Sequence, residues 1–245
     1  MTHTVRVCAL YPDLMNIYAD RGNLLMLERR CAWRSIPFEL SAAGLGDRLD
    51  GRAHDIYYLG GGQDSDQRRC AVDLLARKAD GLRSAAAAGA IVLGVCGGYQ
   101  LLGRSYALGD ETIEGVGLLD VETIREDGPR LIGNVAIELD GSECPEHDGI
   151  VLAGFENHGG RTHLAAGQAA LGRVLRGHGN DGHTGLEGAR TANVIGTYLH
   201  GPLLPKNSWF CDWLISTAIG GGELAPLEDG FEREAHTAAR RAAGV

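Results

Sequence analysis

Residues 90–103 read AIVLGVCGGYQLLG. The run from Ile91 to Val95 is too apolar for a strand with one wet face, so it reads as a central strand covered on both sides. It runs directly into Cys96, then Gly97 and Gly98, then an amphipathic helix beginning near Tyr99. This is the sequence form of a nucleophile elbow, a sharp strand-to-helix turn whose neighbours must be small, hence Gly94, Gly97 and Gly98. The Cys96 sulfur is expected at the carboxyl end of the sheet, where open α/β sheets bind ligands. The helix N-terminus that follows adds a positive partial charge that favours thiolate. The alternative is structural: the glycines make a tight turn and Cys96 fills a gap.

On either side of this segment strand-like and helical patterns alternate. VRVCALY is followed by a helix over roughly Asn23 to Arg34, DIYYLG by a helical stretch from Gln67 to Ala88. That order predicts an α/β fold with a mostly parallel sheet flanked by helices. The region from Gly115 to Gly188 is rich in Gly, Asp, Glu and His, with short alternating segments such as LIGNVAIEL, and reads as a mixed or antiparallel extension. NVIGTYLHG, residues 193–201, is again a buried strand, and a helix over about Lys206 to Ile219 places Trp209, Trp213 and Leu214 on one face. No repeat or long linker divides residues 1–219, which form one expected domain. Residues 220–245, small and charged with Arg240 and Arg241 near the end, are expected to be weakly ordered.

A thiolate attacking an amide creates an oxyanion, which needs backbone N–H donors aimed at it. Gly97, just after the nucleophile, is one candidate. The LGGGQD turn at 59–64 offers Gly61 or Gly62 as the other, because it ends a strand expected beside that of Cys96. The base that takes the thiol proton and returns it to ammonia is expected to be histidine. Of nine histidines, His200 ends a clearly buried strand and is the first candidate. His158, in FENHGGRTH, is the second.

Bulk properties exclude other classes. A net charge of −9 without a dense Lys/Arg cluster argues against nucleic acid. No apolar run approaches the roughly 20 residues that span a bilayer, and the opening MTHTVRVCALYPD lacks the pattern of a signal peptide. A cytoplasmic location is therefore expected. The six cysteines, Cys8, Cys31, Cys70, Cys96, Cys144 and Cys211, form no CxxC pair or zinc-ligand ladder. Neither disulfides nor a metal site is indicated, and all but Cys96 read as small buried residues.

These residues resemble the class I glutamine amidotransferases, with G-x-C-G-G-Y-Q around Cys96 and T-Y-L-H-G around His200. YPDLMNIYADRGN (11–23), GGGQD and ENHGGRT resemble the cobyric acid synthase-like branch, and within it the glutaminase subunits of lipid II isoglutaminyl synthase. The resemblance extends to about Ile219 and implies a flavodoxin-like single domain. It implies that glutamine is hydrolysed through a γ-glutamyl thioester on Cys96, and that ammonia passes to a MurT-type, Mur ligase-like subunit of a heterodimer. That partner holds ATP and Mg, acts on lipid II at the inner face of the membrane, and converts the stem-peptide D-glutamate to D-isoglutamine. No cofactor is implied in this chain. Arg130, in PRLIGNV, matches the family's substrate-binding arginine, whose guanidinium grips the glutamine carboxylate; the structural alternative is a solvated strand-edge arginine.

Two features refine this reading. Many class I members carry Glu two residues after the catalytic histidine, where this chain has Pro202; the resemblance implies that the partner supplies the third triad acid, with Glu156 as an internal alternative. The chain has no GxxxxGK[ST] loop, so a separate ATP-dependent subunit is expected. Competing readings are the glutaminase of another amidotransferase, a stand-alone thiol enzyme, and a non-catalytic binding module.

Overall fold

The computed structural model describes residues 3–17, 20–141 and 149–245. The chain opens with β1 (Val5–Leu10), α1 (Arg21–Trp33), β2 (Phe38–Ala43), β3 (Ile56–Leu59), α2 (Asp64–Asp73), α3 (Ala79–Ala87), β4 (Ile91–Val95) and α4 (Gly97–Leu102). The middle holds β5 (Ser105–Leu108), β6 (Glu111–Glu114), β7 (Val121–Arg125), β8 (Leu131–Leu139), β9 (Val151–His158), β10 (Gly160–Leu164), β11 (Gly172–Arg176) and β12 (Leu186–Glu187). β13 (Ala189–Thr191) and β14 (Val194–Thr197) return to the first sheet and lead into α5 (Leu203–Lys206), α6 (Ser208–Ala218) and α7 (Gly230–Ala243).

The main sheet has the order β13-β14-β4-β3-β1-β2. All its pairings are parallel except that of β13 with β14. Setting β13 aside, this is the flavodoxin-like order. Every residue of β3, β4 and β14 is buried, as their continuous apolar character requires. The register puts Leu59 beside Gly94 and Val95 beside Thr197. The Cys96 turn therefore lies between the LGGGQD turn and the segment that leads to His200.

The mixed extension forms two four-stranded sheets, β10-β7-β5-β6 and β12-β11-β8-β9. The expected Gln67 to Ala88 helix is α2 and α3 joined by a single wide π-helical turn at Leu74–Lys78. There the buried Lys78 ammonium meets Asp73 and the Asp47 carbonyl, a tie that pulls the helix out of regular winding. On α6 the buried face is Phe210, Cys211, Leu214 and Ile215. Trp209 and Trp213 flank it instead of forming its centre. Cys8, Cys31, Cys70, Cys96 and Cys211 are free and buried; Cys144 lies outside the described residues. No helix among the described residues is long and apolar enough to cross a membrane.

Within the tail, residues 230–243 form α7. No residue of α7 is buried, and its apolar stripe of Phe231, Ala235, Ala238, Ala239 and Ala242 is built almost entirely of alanine, too small a signal to mark a packed helix in the sequence. Polar links hold it. The fully buried Arg30 guanidinium binds both Asp212 on α6 and Asp229 just before α7. His236 Nδ1 donates to the Lys206 carbonyl at 2.9 Å, Asn134 Nδ2 donates to the Ala242 carbonyl at 3.1 Å, and Gly244 closes the helix with φ 88°.

Candidate active site

Cys96 adopts φ 53° and ψ −110°, a conformation costly for a side chain with a Cβ and characteristic of strained turns at functional sites. Its amide donates to the Thr197 carbonyl at 2.8 Å, which ties the elbow to the end of β14. Gly98 makes the turn possible: a Cβ there would lie 2.0 Å from the Leu59 carbonyl oxygen, so only glycine lets α4 seat against the end of β3.

The Gly97 N–H lies against the Cys96 sulfur. A Cβ built on Gly97 would stand 3.0 Å from the Gly62 nitrogen, so the two backbone segments meet at the elbow. Gly61 is differently engaged, donating its N–H to Asp20 Oδ2 at 2.7 Å. Of the two candidates in the LGGGQD turn, Gly62 is therefore the one whose amide is left to pair with Gly97 on an oxyanion.

The thiol does not fit the expectation of a ready thiolate. Burial pushes Cys96 up to about 12, and the nearby Asp20 carboxyl adds to the rise, against the opposing Gly97 N–H and Arg130. Desolvation outweighs the end of the six-residue α4. His200 moves the other way, down to about 4, because it is buried and because Lys206 and Arg130 add positive charge. Resting thiol and imidazole are thus both neutral. His200 follows β14 by three residues and its backbone is pinned to Phe155 by two 3.0 Å hydrogen bonds.

A cleft of about 370 Å³ opens at the carboxyl end of the sheet, with Cys96, Gly62, Arg130 and His158 in its wall. His200, fully buried, is not part of that wall. Arg130 is braced by Asn157, donating from Nε to Oδ1 and from Nη2 to the main-chain oxygen, both at 2.7 Å. The His158 ring stacks flat on Tyr198 with centroids 3.6 Å apart, and its Nδ1 donates to the Gly160 carbonyl at 2.7 Å. Burial lowers it to about 3, so it stays neutral. Glu156 accepts the amides of His178 and Gly179 at 2.6 and 2.9 Å and lies 4.0 Å from His158 Nε2. These contacts make it the anchor of a turn. Among the described residues no group of His, Cys, Asp and Glu could hold a metal ion.

Two carboxyls of the site escaped the sequence reading. Glu187 is fully buried, accepts from the Tyr198 amide at 2.6 Å and from Thr197 Oγ1 at 3.0 Å, and so props the backbone leading to His200. Asp20 precedes α1 in ADRGN, where an acid reads as a helix cap. It makes no cap hydrogen bond; its side chain reaches Gly61 instead. Burial raises Asp20 to about 7, opposed by the Gly61 N–H. A carboxyl raised on folding binds its proton more tightly in the native state, so stability falls as pH rises from the unfolded value of 3.8 to about 7. Asp20→Asn is expected to flatten that slope, a difference of at most roughly 4 kcal/mol across the window. Urea denaturation of both proteins from pH 4 to 8 measures it; parallel stability curves would show that Asp20 titrates normally.

Comparison with known proteins agrees with this geometry. Residues 6–208 match the CobB/CobQ-like glutamine amidotransferase domain. The GatD subunit of the glutamine-hydrolysing lipid II isoglutaminyl synthase of Streptococcus pneumoniae is 35% identical over 218 residues, 89% of this chain and 81% of that one. The corresponding Staphylococcus aureus subunit is 36% identical over 217 residues, 88% of this chain and 85% of that one. A probable cobyric acid synthase of Methanopyrus kandleri is 38% identical over 163 residues, 62% of this chain but 31% of the relative. In fold, the chain is similar to PurLQS from Thermotoga maritima, with TM-score 0.61 and 21% identity over 96% of this chain and 99% of that one. A match across most of the chain, with an elbow cysteine at the mouth of the cleft, places this protein in the CobB/CobQ-like glutamine amidotransferase family.

Proposed function

We propose that this chain is the glutamine-hydrolysing subunit of a lipid II isoglutaminyl synthase and delivers ammonia to a MurT-type ligase subunit in the cytoplasm. The observation that carries the reading is its similarity, over nearly nine-tenths of its length, to two subunits of that name. In this reading the γ-amide of glutamine enters the cleft, Cys96 gives its proton to His200, and the sulfur attacks the amide carbon. The Gly62 and Gly97 amides receive the oxyanion, and His200 returns the proton to the departing ammonia. Water then cleaves the γ-glutamyl thioester to glutamate. The partner, with ATP and Mg, activates the D-glutamate α-carboxyl that ammonia converts to D-isoglutamine.

The same reading accounts for the neutral resting pair. Burial, reinforced by the positive charges of Lys206 and Arg130, holds the imidazole in its neutral form, and Pro202 occupies the place where many relatives carry an orienting acid. A carboxylate brought by the partner would oppose those positive charges and stabilise the imidazolium formed during attack. Hydrolysis would then be fast only in the assembled complex. The test is reconstitution with the MurT-type subunit, ATP, Mg and lipid II, with glutamine as sole nitrogen source and mass spectrometry of the stem peptide. Formation of D-isoglutamine, with ammonia release that rises on assembly, is the expected result. An intact complex that hydrolyses glutamine and leaves lipid II unchanged would overturn the acceptor.

A further inference from the structure

The amide end of the glutamine site lies at Cys96, and the other end of the substrate needs a place too. The free amino acid carries an α-ammonium and an α-carboxylate, so its pocket needs a carboxylate and a guanidinium beyond the reacting atoms. The cleft wall contains one such pair that the sequence reading did not consider, Asp64 and Arg125. Asp64 is the first residue of α2, directly after the LGGGQD turn that supplies Gly62. Its neighbours on that helix are paired, Asp66 with Arg69 at 3.8 Å and Arg68 with Glu111 at 2.7 Å. No ion pair or side-chain hydrogen bond engages the Asp64 carboxylate among the described residues.

Arg125 ends β7, and its guanidinium lies across Gly159, where a Cβ would come within 2.2 Å of Nη1. Gly159 thus provides the seat on which the guanidinium rests in the wall. The same guanidinium meets the Tyr106 hydroxyl, and Tyr106 also lines the cleft, within electrostatic reach of Asp64. With Arg130 braced by Asn157, the cleft holds two oriented cations and one uncommitted anion. An α-carboxylate has lone pairs enough for both guanidinium groups.

We propose that Asp64 and Arg125 form the head-group clamp of the glutamine pocket, Asp64 receiving the α-ammonium and Arg125 sharing the α-carboxylate with Arg130. This assignment rests on the reading of the cleft as the glutamine site of Cys96. It makes Asp64 the specificity-determining residue for α-amino acids, because an amide without the amino group leaves that carboxylate unmatched.

The test is protection of Cys96 from iodoacetamide, quantified by peptide mass spectrometry on the full chain, alone and with its ligase partner. Three protectors are titrated: L-glutamine, glutaric acid monoamide, which lacks the α-amino group, and 4-aminobutanamide, which lacks the α-carboxylate. In the wild type each truncated amide is expected to need about 10-fold or more the concentration of L-glutamine for half-protection. In Asp64→Asn the preference for L-glutamine over glutaric acid monoamide collapses; in Arg125→Met the preference over 4-aminobutanamide shrinks. Matching thermal melting curves show that the variants are folded, and half-protection is referred to each variant's own unprotected rate, because the Asp64 charge itself acts on the Cys96 thiol. Equal protection by all three amides in the wild type, or an unchanged preference in Asp64→Asn, would overturn the clamp while leaving the glutamine site standing. Failure of L-glutamine to protect the wild-type complex would overturn the site and the clamp together.

Discussion

Cys96→Ala is expected to lower ammonia release from glutamine by about 10⁴-fold or more, the scale seen when a covalent nucleophile is removed. Among the described residues no other cysteine can substitute, since Cys8, Cys31, Cys70 and Cys211 are buried and none of them lines the cleft. The loss would be chemical in origin. Alanine tolerates φ 53° about as well as cysteine does, and Cys96 is 6% exposed with its amide held by Thr197. A modest stability change of about 1 kcal/mol is therefore expected. In the complex, free ammonium salts should restore amidation to the variant, because the ligase chemistry does not pass through the thiol. A coupled glutamate assay with glutamine and a separate assay with ammonium chloride check the two halves. Retained glutamine hydrolysis in Cys96→Ala would rule out the thioester.

Gly98→Ala is expected to damage the fold and the site together. The new Cβ would meet the Leu59 oxygen at 2.0 Å, the Leu59 carbon at 2.7 Å and the Gly60 oxygen at 2.9 Å. All three are backbone atoms of a buried strand and its exit, so no side-chain rotation relieves the overlap. Helix α4 must retreat from β3 by about an ångström in a close-packed core, at a cost above roughly 3 kcal/mol and a Tm loss of roughly 6–12 °C. The same retreat parts the Gly97 amide from Gly62, and a displacement of that size costs about 10²-fold in rate. Gly44→Ala is the control. Its Cβ would find nothing nearer than Asp47 Oδ2 at 3.8 Å, and a change within about 0.5 kcal/mol is expected. Calorimetry of both variants separates the cases, and a Gly98→Ala protein melting with the wild type would refute the close approach.

What a sequence displays depends on how local its cause is. The strands β3, β4 and β14 were legible because burial on both faces leaves almost no polar residue in them. β2 was not, since FELSAA lies at the sheet edge with only Ala43 buried. The elbow was legible because strand, cysteine and glycines are contiguous. Asp20 was hidden: its partner Gly61 is 41 residues away, and the helix start beside it offered a simpler role. The neutral thiol was hidden too, because a local dipole is visible in a sequence and desolvation by distant strands is not. The strand pairing within residues 115–188 was not legible, because β7 alternates buried and exposed residues and β11 is buried only at Gly172, patterns that specify at most a face and not a partner.

The Arg30 latch bears on how this protein can be handled. A fusion or deletion at the C-terminal end is often placed by exposure alone, and α7, with Phe231 86% exposed, would look expendable. Yet removing residues from 229 onward would take one of two carboxylates from a guanidinium sealed in the core between α1 and α6. That charge cannot reach solvent, and stripping a partner from a buried ion is far more damaging than trimming a solvated helix. A boundary after Asp229 keeps the latch closed, and what is then lost is the contact of α7 with α5, β8 and β9.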